Sequence, residues 1–106
     1  MTDHFYKVAR LDGYDFHTGN TINYRDNIGK TVTNPKTTDS TEICSDNVIH
    51  ASRLFIDALR YGQIPCSVFV VSGIPVSEQD DKCGFKKLKI IREINILNFF
   101  ICPVLF

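Results

Sequence analysis

The stretch "CSVFVVSG", residues 66–73, decides where the centre of this protein lies. It is a nearly continuous apolar run that is rich in β-branched residues. Such a run is typical of a strand that is buried on both faces, because a half-exposed strand alternates apolar with polar residues. We therefore expect a central strand at 66–73 and arrange the rest of the chain around it.

The segment before this strand, "SRLFIDALRYG" at 52–62, has the pattern of an amphipathic helix. Its apolar residues share one side at helical spacing, and its charged residues lie away from them. Ser52 suits the cap of the first turn, Gly62 suits the position after the last turn, and Pro65 prevents the helix from resuming. The pattern predicts one main helix over about 52–61 that packs on a sheet.

The stretch "ICSDNVIHASR", residues 43–53, predicts a short hairpin that leads into this helix. Two apolar segments flank the sequence Ser-Asp-Asn, and Asp and Asn tolerate the left-handed backbone that a tight turn needs. In this interpretation Cys44 is an interior residue and Ser52 is the helix cap.

The remaining segments predict further short strands and one loop. Residues 5–11 are rich in aromatic and β-branched residues and precede an Asp-Gly turn signal, so a β-meander is expected through residue 24. Residues 31–41 are polar and predict a loop. Residues 85–94 fit both a helical repeat and a strand, and their isoleucines favour the strand.

These elements predict an α+β fold: a mostly antiparallel, curved sheet of short strands with the helix at about 52–61 packed on it. Residues 1–94 are expected to form a single globular domain. Residues 95–106 are an apolar C-terminal segment, expected to be packed or to form an atypical tail. The predicted core consists of Val8, Leu11, Phe16, Ile43, Val48, Leu54, Phe55, Leu59, Val68, Val70, Leu88 and Ile90.

The totals argue against several classes of protein. The 106 residues suit one domain, and 12 basic residues balance 12 acidic ones. A formal net charge of zero argues against a dedicated nucleic-acid-binding protein, so no nucleic acid partner is expected. The apolar run at 95–106 is shorter than the roughly 20 residues of a membrane span. No secretory signal is evident, so we expect a cytoplasmic protein with reduced thiols.

Few side chains are spaced for chemistry. Cys44 and His50 could face each other across the hairpin as a thiol–imidazole pair, although a buried thiol and a structural histidine are the more ordinary interpretation. The cysteine spacing does not predict a metal site, and no phosphate-binding loop is present. The sequence "KKLK", 86–89, is a basic cluster that could contact an anionic surface, but a solvated strand face is more common.

Four stretches occur in an order that resembles a known family. They are "DGYDFHTGNTINY", "ICSDNVIHASR", "IPCSVFVVSGIPV" and "DDKCGFKKLKIIREI", and together they cover most of residues 7–94. The chain resembles a family of small bacterial and phage domains that carry D-G-x-D-F-x-T-G, C-S-x4-H-A-S-R, P-C-x-x-F-x-V and D-x-K-x-G-F-x-x-L elements. That family has no established activity, so the resemblance implies no catalytic residue.

A second resemblance concerns three single residues. An early histidine, the sequence H-A-S before a helix, and a glutamate in a late strand are similar to the layout of ADP-ribosyltransferases, which bind NAD. The resemblance implies His17, Ser52 and Glu93 as the corresponding catalytic residues. The chain is short for that family and lacks an evident aromatic nicotinamide pocket. In the alternative interpretation, His17 is a turn residue, Ser52 caps the helix and Glu93 is a charge on the polar face of a strand.

The sequence therefore favours a non-catalytic binding or accessory module with an unidentified protein partner and no cofactor. The alternative is an enzyme: an ADP-ribosyltransferase-like NAD user with His17, Ser52 and Glu93, or a thiol-dependent enzyme with Cys44 and His50. The two hypotheses differ in geometry, because the enzyme requires these side chains to converge in one cleft.

Overall fold

The fold is that of a small, mostly antiparallel β protein. The computed structural model describes residues 4–16, 19–35, 39–41, 48–62 and 65–94, with the backbone alone for 19–21. Its strands are β1 (His4–Ala9), β2 (Tyr14–Asp15), β3 (Gly19–Asn23), β4 (Thr31–Thr33), β5 (Ile49–Ala51), β6 (Ser67–Ser72), β7 (Ser77–Gln79), β8 (Lys82–Phe85) and β9 (Lys87–Ile94). One 3₁₀ turn, Arg25–Asn27, and one α-helix, α1 (Phe55–Leu59), complete the described elements.

The strands form two sheets and a hairpin. The larger sheet has the order β1-β6-β9-β4, the smaller has the order β5-β8-β7, and β2 pairs with β3. All six residues of β6 are buried, as expected for the strand predicted at 66–73. The two sheets are linked through Ser52 and Tyr6, which exchange backbone hydrogen bonds of 2.9 and 2.7 Å.

The two faces of the larger sheet are covered differently. On one face, Phe5, Phe69 and Ile90 pack with residues of the smaller sheet and with Tyr24 in a common core. On the other face, Val68, Val70 and Ile94 pack under α1 and its neighbours, including Phe16 and Phe55. Among the described residues, this helical cover spans only part of the second face, and Thr31, Thr33, Lys87 and Lys89 are exposed on the same side.

The predicted α+β class, with a main helix over about 52–61, is wrong: the single described α-helix has five residues and begins at Phe55. Ser52 does not cap it, because the backbone of Ser52 is paired with Tyr6 as an extension of the sheet. The N-cap is Leu54, whose φ and ψ of −110° and 141° are extended and whose side chain makes no capping bond. The pairing of Ser52 with the sheet therefore keeps the start of this segment extended, although the apolar spacing predicts a helix there.

Two residues of the predicted core lie at the surface. Leu11 is 55% exposed and Leu54 is 59% exposed. Leu54 precedes the shortened helix, so only Phe55, Ala58 and Leu59 turn toward the sheet. Among the others, Ile43 lies outside the described residues. Six are buried: Val8, Val48, Val68, Val70, Leu88 and Ile90. Phe16, Phe55 and Leu59 are partly buried.

The hairpin expected at 43–53 is described only in its second half. That half is β5, and its partner in the described chain is β8, with Ile49 opposite Phe85 and Ala51 opposite Cys83. The segment expected to be either helix or strand at 85–94 is strand, since β9 pairs with both β6 and β4. The apolar segment 95–106 lies outside the described residues.

Replacing Gly84 with alanine is expected to lower the free energy of unfolding by about 1–3 kcal/mol. A methyl group at Gly84 would lie 2.5 Å from Ser77 Oγ and 2.7 Å from Val48 Cγ2, so both must move. Urea denaturation of the purified variant measures the loss.

The Ser77→Ala variant provides the matched control. Ser77 Oγ is buried without a hydrogen-bond partner in the described chain, so removing it should not destabilise the protein. The double variant with Gly84→Ala should recover part of the loss, because one of the two close contacts has disappeared. Equal losses in the single and double variants would contradict this packing.

Candidate anion-binding face

Charged side chains are distributed unevenly over the molecule, although the net charge is zero. Five cations near β1, the 3₁₀ turn and α1 are matched by carboxylates. Their ion pairs are Lys7–Asp15, Arg10–Asp12, Arg25–Glu93, Arg53–Glu78, and Arg60 with Asp57 and Asp81. The cations of β9 are not matched in this way, and they define the candidate site.

Lys87, Lys89 and Arg92 form an exposed group on β9, called here the basic face. Lys89 lies opposite Ser72 and Arg92 lies opposite Val70, so both side chains leave the sheet on the side that α1 partly covers. None of the three makes an ion pair within the described ranges.

A β-bulge places Arg92 on this face. On β6, Val70 is opposite Arg92 and the next residue, Val71, is opposite Ile90. Ile91 therefore has no residue opposite it and is the extra residue of the bulge. In a regular strand, residues three apart point to opposite faces, and Arg92 would then point away from Lys89. The bulge returns Arg92 to the side of the two lysines and lets Ile91 pack with the apolar residues under α1.

Hydroxyl groups surround the lysines. Thr31 is opposite Lys89 and Thr33 is opposite Lys87, and both threonines are exposed. Ser72 on β6 lies between Lys89 on β9 and His4 on β1 and is directly opposite both. Directly opposite residues of an antiparallel sheet point to the same side, so charge and hydroxyl donors share one surface. Such a surface can bind anions.

Of the predicted catalytic residues, the structure describes Ser52, Glu93 and His50. His17 and Cys44 lie outside the described residues. Ser52 is next to β1, whereas Glu93 is on β9, with β1 and β6 between them. Three strand spacings of about 4.8 Å separate their backbones by roughly 14 Å. His50 lies on β5 of the smaller sheet, opposite Gly84.

Glu93 forms a two-point ion pair with Arg25. The Nε and Nη2 groups of Arg25 donate to the two carboxylate oxygens at 3.0 and 3.2 Å. The same guanidinium donates to the Leu11 carbonyl at 2.7 Å and to Ser67 Oγ at 2.8 Å. Arg25 thus links the turn after β3 to β9, to β6 and to the turn after β1, and Glu93 is its carboxylate partner.

A buried polar cluster, not foreseen from the sequence, lies beneath the β2–β3 hairpin. Lys7 Nζ is 2.9 Å from Asp15 Oδ2, and Tyr24 donates its hydroxyl to the same oxygen at 3.3 Å. The ammonium also lies 5.6 Å from the centre of the Tyr24 ring. Burial, with the Asp15 charge next, raises the pKa of Tyr24 well above its usual value, so the phenol stays a donor.

The described thiols, Cys66 and Cys83, are buried. Burial raises the pKa of Cys66, and burial together with the Glu78 carboxylate raises the pKa of Cys83 to about 11. Cys83 donates to Glu78 Oε1 at 3.3 Å, and Arg53 donates to the same oxygen at 2.8 Å. A reactive cysteine needs the opposite environment, an exposed position near positive charge that lowers the pKa.

The described ranges contain no group of three or more histidine, cysteine or acidic side chains arranged to hold a metal ion. Within the same ranges, no helix has the length and apolar character needed to cross a membrane.

Comparison with protein-family models, curated proteins and solved structures finds no match for this chain. The resemblances to the bacterial and phage domain family and to ADP-ribosyltransferases therefore stay predictions. The basic face was visible in the sequence only as the cluster at 86–89. Arg92 and the threonines of β4 join it through the bulge and the strand order, which no local pattern indicates.

Proposed function

We propose that this chain is a non-catalytic binding module that holds an anionic partner on its basic face. The observation that carries the proposal is the exposure of Lys87, Lys89 and Arg92 on one side of the sheet, without a carboxylate partner in the described chain. Clustered charge of one sign raises the local concentration of oppositely charged ligands and speeds their association.

The enzyme alternatives receive less support from the described residues. Glu93, assigned to the NAD-binding layout, is engaged by Arg25, and Ser52 lies about three strand spacings from it. The described thiols, Cys66 and Cys83, carry raised pKa values, whereas thiol catalysis needs a thiolate. Cys44, the thiol of that alternative, lies outside the described residues. A binding surface needs none of these groups and uses the side chains that have no ion pair in the described chain.

The double variant Lys87→Glu/Lys89→Glu is expected to bind polyglutamate at least about tenfold more weakly than the native chain, a change of about 1.4 kcal/mol. Charge reversal replaces attraction by repulsion at two adjacent positions of the basic face. Fluorescence anisotropy of labelled polyglutamate at low and at high salt measures the change, and binding by the native chain should weaken as salt rises.

A variant with the same net charge is the control. Lys30→Glu/Lys82→Glu reverses two charges outside the basic face: Lys30 is opposite the core residue Ile90, and Lys82 is on β8 of the smaller sheet. It should retain most of the binding, provided that its melting temperature is unchanged. Equal losses in both variants, or no binding of polyglutamate by the native chain, would refute the proposal.

A further inference from the structure

We infer that the partner of the basic face is an extended acidic peptide segment that joins the larger sheet as an additional strand beside β4. The inference rests on the proposed function and specifies its ligand and binding mode. Three features of the described chain support it: the open edge of β4, the side chains beside that edge, and the environment of the aromatic residue on the side of the basic face.

The edge of β4 has backbone groups directed away from the sheet. Ile90 donates to the Lys30 carbonyl at 2.9 Å, and Asn34 donates to the Lys86 carbonyl at 2.7 Å. In an antiparallel pair, hydrogen-bonded and non-hydrogen-bonded residues alternate, so the N–H and C=O groups of Thr31 and Thr33 point away from β9. The described part of the chain places no strand on that side of β4.

Within the described chain, the edge of β4 lacks the usual protection. Natural edge strands are commonly blocked by proline, by charged residues or by a bulge, and β4 (Thr31–Thr33) contains none of these. Pro35 follows one residue after Asn34 and limits the available edge to a short length. Two outward-facing threonines can exchange up to four backbone hydrogen bonds with an added strand, which is the basis of strand addition as a recognition mode.

The flanking side chains determine which peptide fits. Alternate residues of an added strand would lie beside Thr31 and Thr33 on the basic face, separated by about 6.8 Å along the strand. Lys89 and Lys87 stand one strand further in, opposite these threonines, with long side chains that can reach across β4. Acidic residues at these two positions would meet the two ammonium groups.

The intermediate residue of the peptide would lie on the other face. It is beside Val32, which packs in the common core with Leu88 and is 8% exposed. An apolar side chain there would extend that core at the edge of the sheet. The edge of β4 therefore fits the pattern acidic–apolar–acidic in an extended conformation.

A peptide fits this surface better than a single-stranded nucleic acid does. Sequence-independent binding of single strands relies on aromatic side chains that stack with bases. In the described part of the larger sheet, the aromatic residue on the side of the basic face is Tyr6. Its ring packs edge-on against the ring of Phe55, with 5.9 Å between the ring centres. The other exposed groups of the basic face are positive charges and threonine hydroxyls, and both bind carboxylates.

The test uses the full chain and a short labelled peptide of alternating glutamate and valine. A second peptide carries N-methyl groups on the backbone nitrogens that face β4, and it has identical side chains. We expect the methylated peptide to bind at least about tenfold more weakly, since each methyl removes a donor and blocks the approach of the strands. On binding the unmodified peptide, the amide protons of Thr31 and Thr33 should exchange more slowly.

A variant of the protein gives the complementary test. Thr33→Pro removes an outward N–H and leaves the bonds to β9 intact, whereas Thr33→Val keeps the N–H. Thr33→Pro should lose binding of the alternating peptide but keep binding of polyglutamate, and Thr33→Val should keep both. If Thr33→Pro does not fold, the methylated peptide carries the test alone.

The outcomes separate the two proposals. Equal binding of both peptides, with polyglutamate binding still dependent on Lys87 and Lys89, would overturn strand addition while the anion-binding function stands. Absence of binding to every polyanion would overturn both. Tighter binding of a single-stranded oligonucleotide than of the alternating peptide would overturn the peptide as partner.

Discussion

Replacing Asp15 with alanine is expected to lower the free energy of unfolding by about 3–5 kcal/mol. The carboxylate is the buried partner of Lys7 and accepts a hydrogen bond from Tyr24. Its removal leaves an ammonium group and a phenol beneath the β2–β3 hairpin without that partner, and the desolvation cost of the ammonium is then no longer offset. Urea denaturation followed by circular dichroism measures the loss.

Two further variants test the reason for the loss. Arg10→Ala breaks the exposed Arg10–Asp12 pair and should change stability little, because water screens that pair. The double variant Lys7→Met/Asp15→Leu removes both charges together and should be considerably more stable than Asp15→Ala, since no unpaired charge remains. A double variant as unstable as the single one would show that the charge of Lys7 is not the cause.

Replacing Phe69 with alanine is expected to cost about 3–5 kcal/mol of stability. Phe69 lies on the central strand β6 with its side chain fully buried, and its ring is 6.0 Å from the ring of Tyr24. It is opposite Lys7 on β1 and Glu93 on β9, so the cavity would open at the centre of the sheet, where surrounding strands cannot easily collapse into it. Thermal and urea unfolding both report the change.

The control for this truncation is Ile74→Ala. Ile74 is 86% exposed, so removing its side chain deletes apolar surface without opening a cavity, and the change should stay within about 0.5 kcal/mol. A loss below about 1 kcal/mol for Phe69→Ala would contradict the placement of β6 at the centre of the core.

The internal ion pairs explain how a neutral chain presents a basic surface. Lys7 and Arg25 use the carboxylates of Asp15 and Glu93 on the core side of the sheet, whereas the lysines of β9 point to the other side. Net charge counts all these groups equally and therefore conceals the separation. The expectation that no nucleic acid binds rests on that total, and the oligonucleotide arm of the peptide experiment tests it on the surface itself.

The sequence by itself determined the features that depend on local composition. A long apolar, β-branched run at 66–73 has to be covered on both faces, and it is the buried central strand β6. The lysines at 87 and 89 alternate with Leu88 and Ile90, so the pattern of β9 already implies one charged and one apolar face over that stretch.

Tertiary structure alone decided the features that depend on distant partners. The apolar spacing over 52–61 fits a helix, but pairing of Ser52 with Tyr6 holds the chain extended and delays α1 to Phe55. The bulge opposite Val70 and Val71 sets the side on which Arg92 emerges. The physical reason is common to both: backbone hydrogen bonds between strands far apart in sequence outweigh local side-chain preferences, and those bonds exist only once the sheet is assembled.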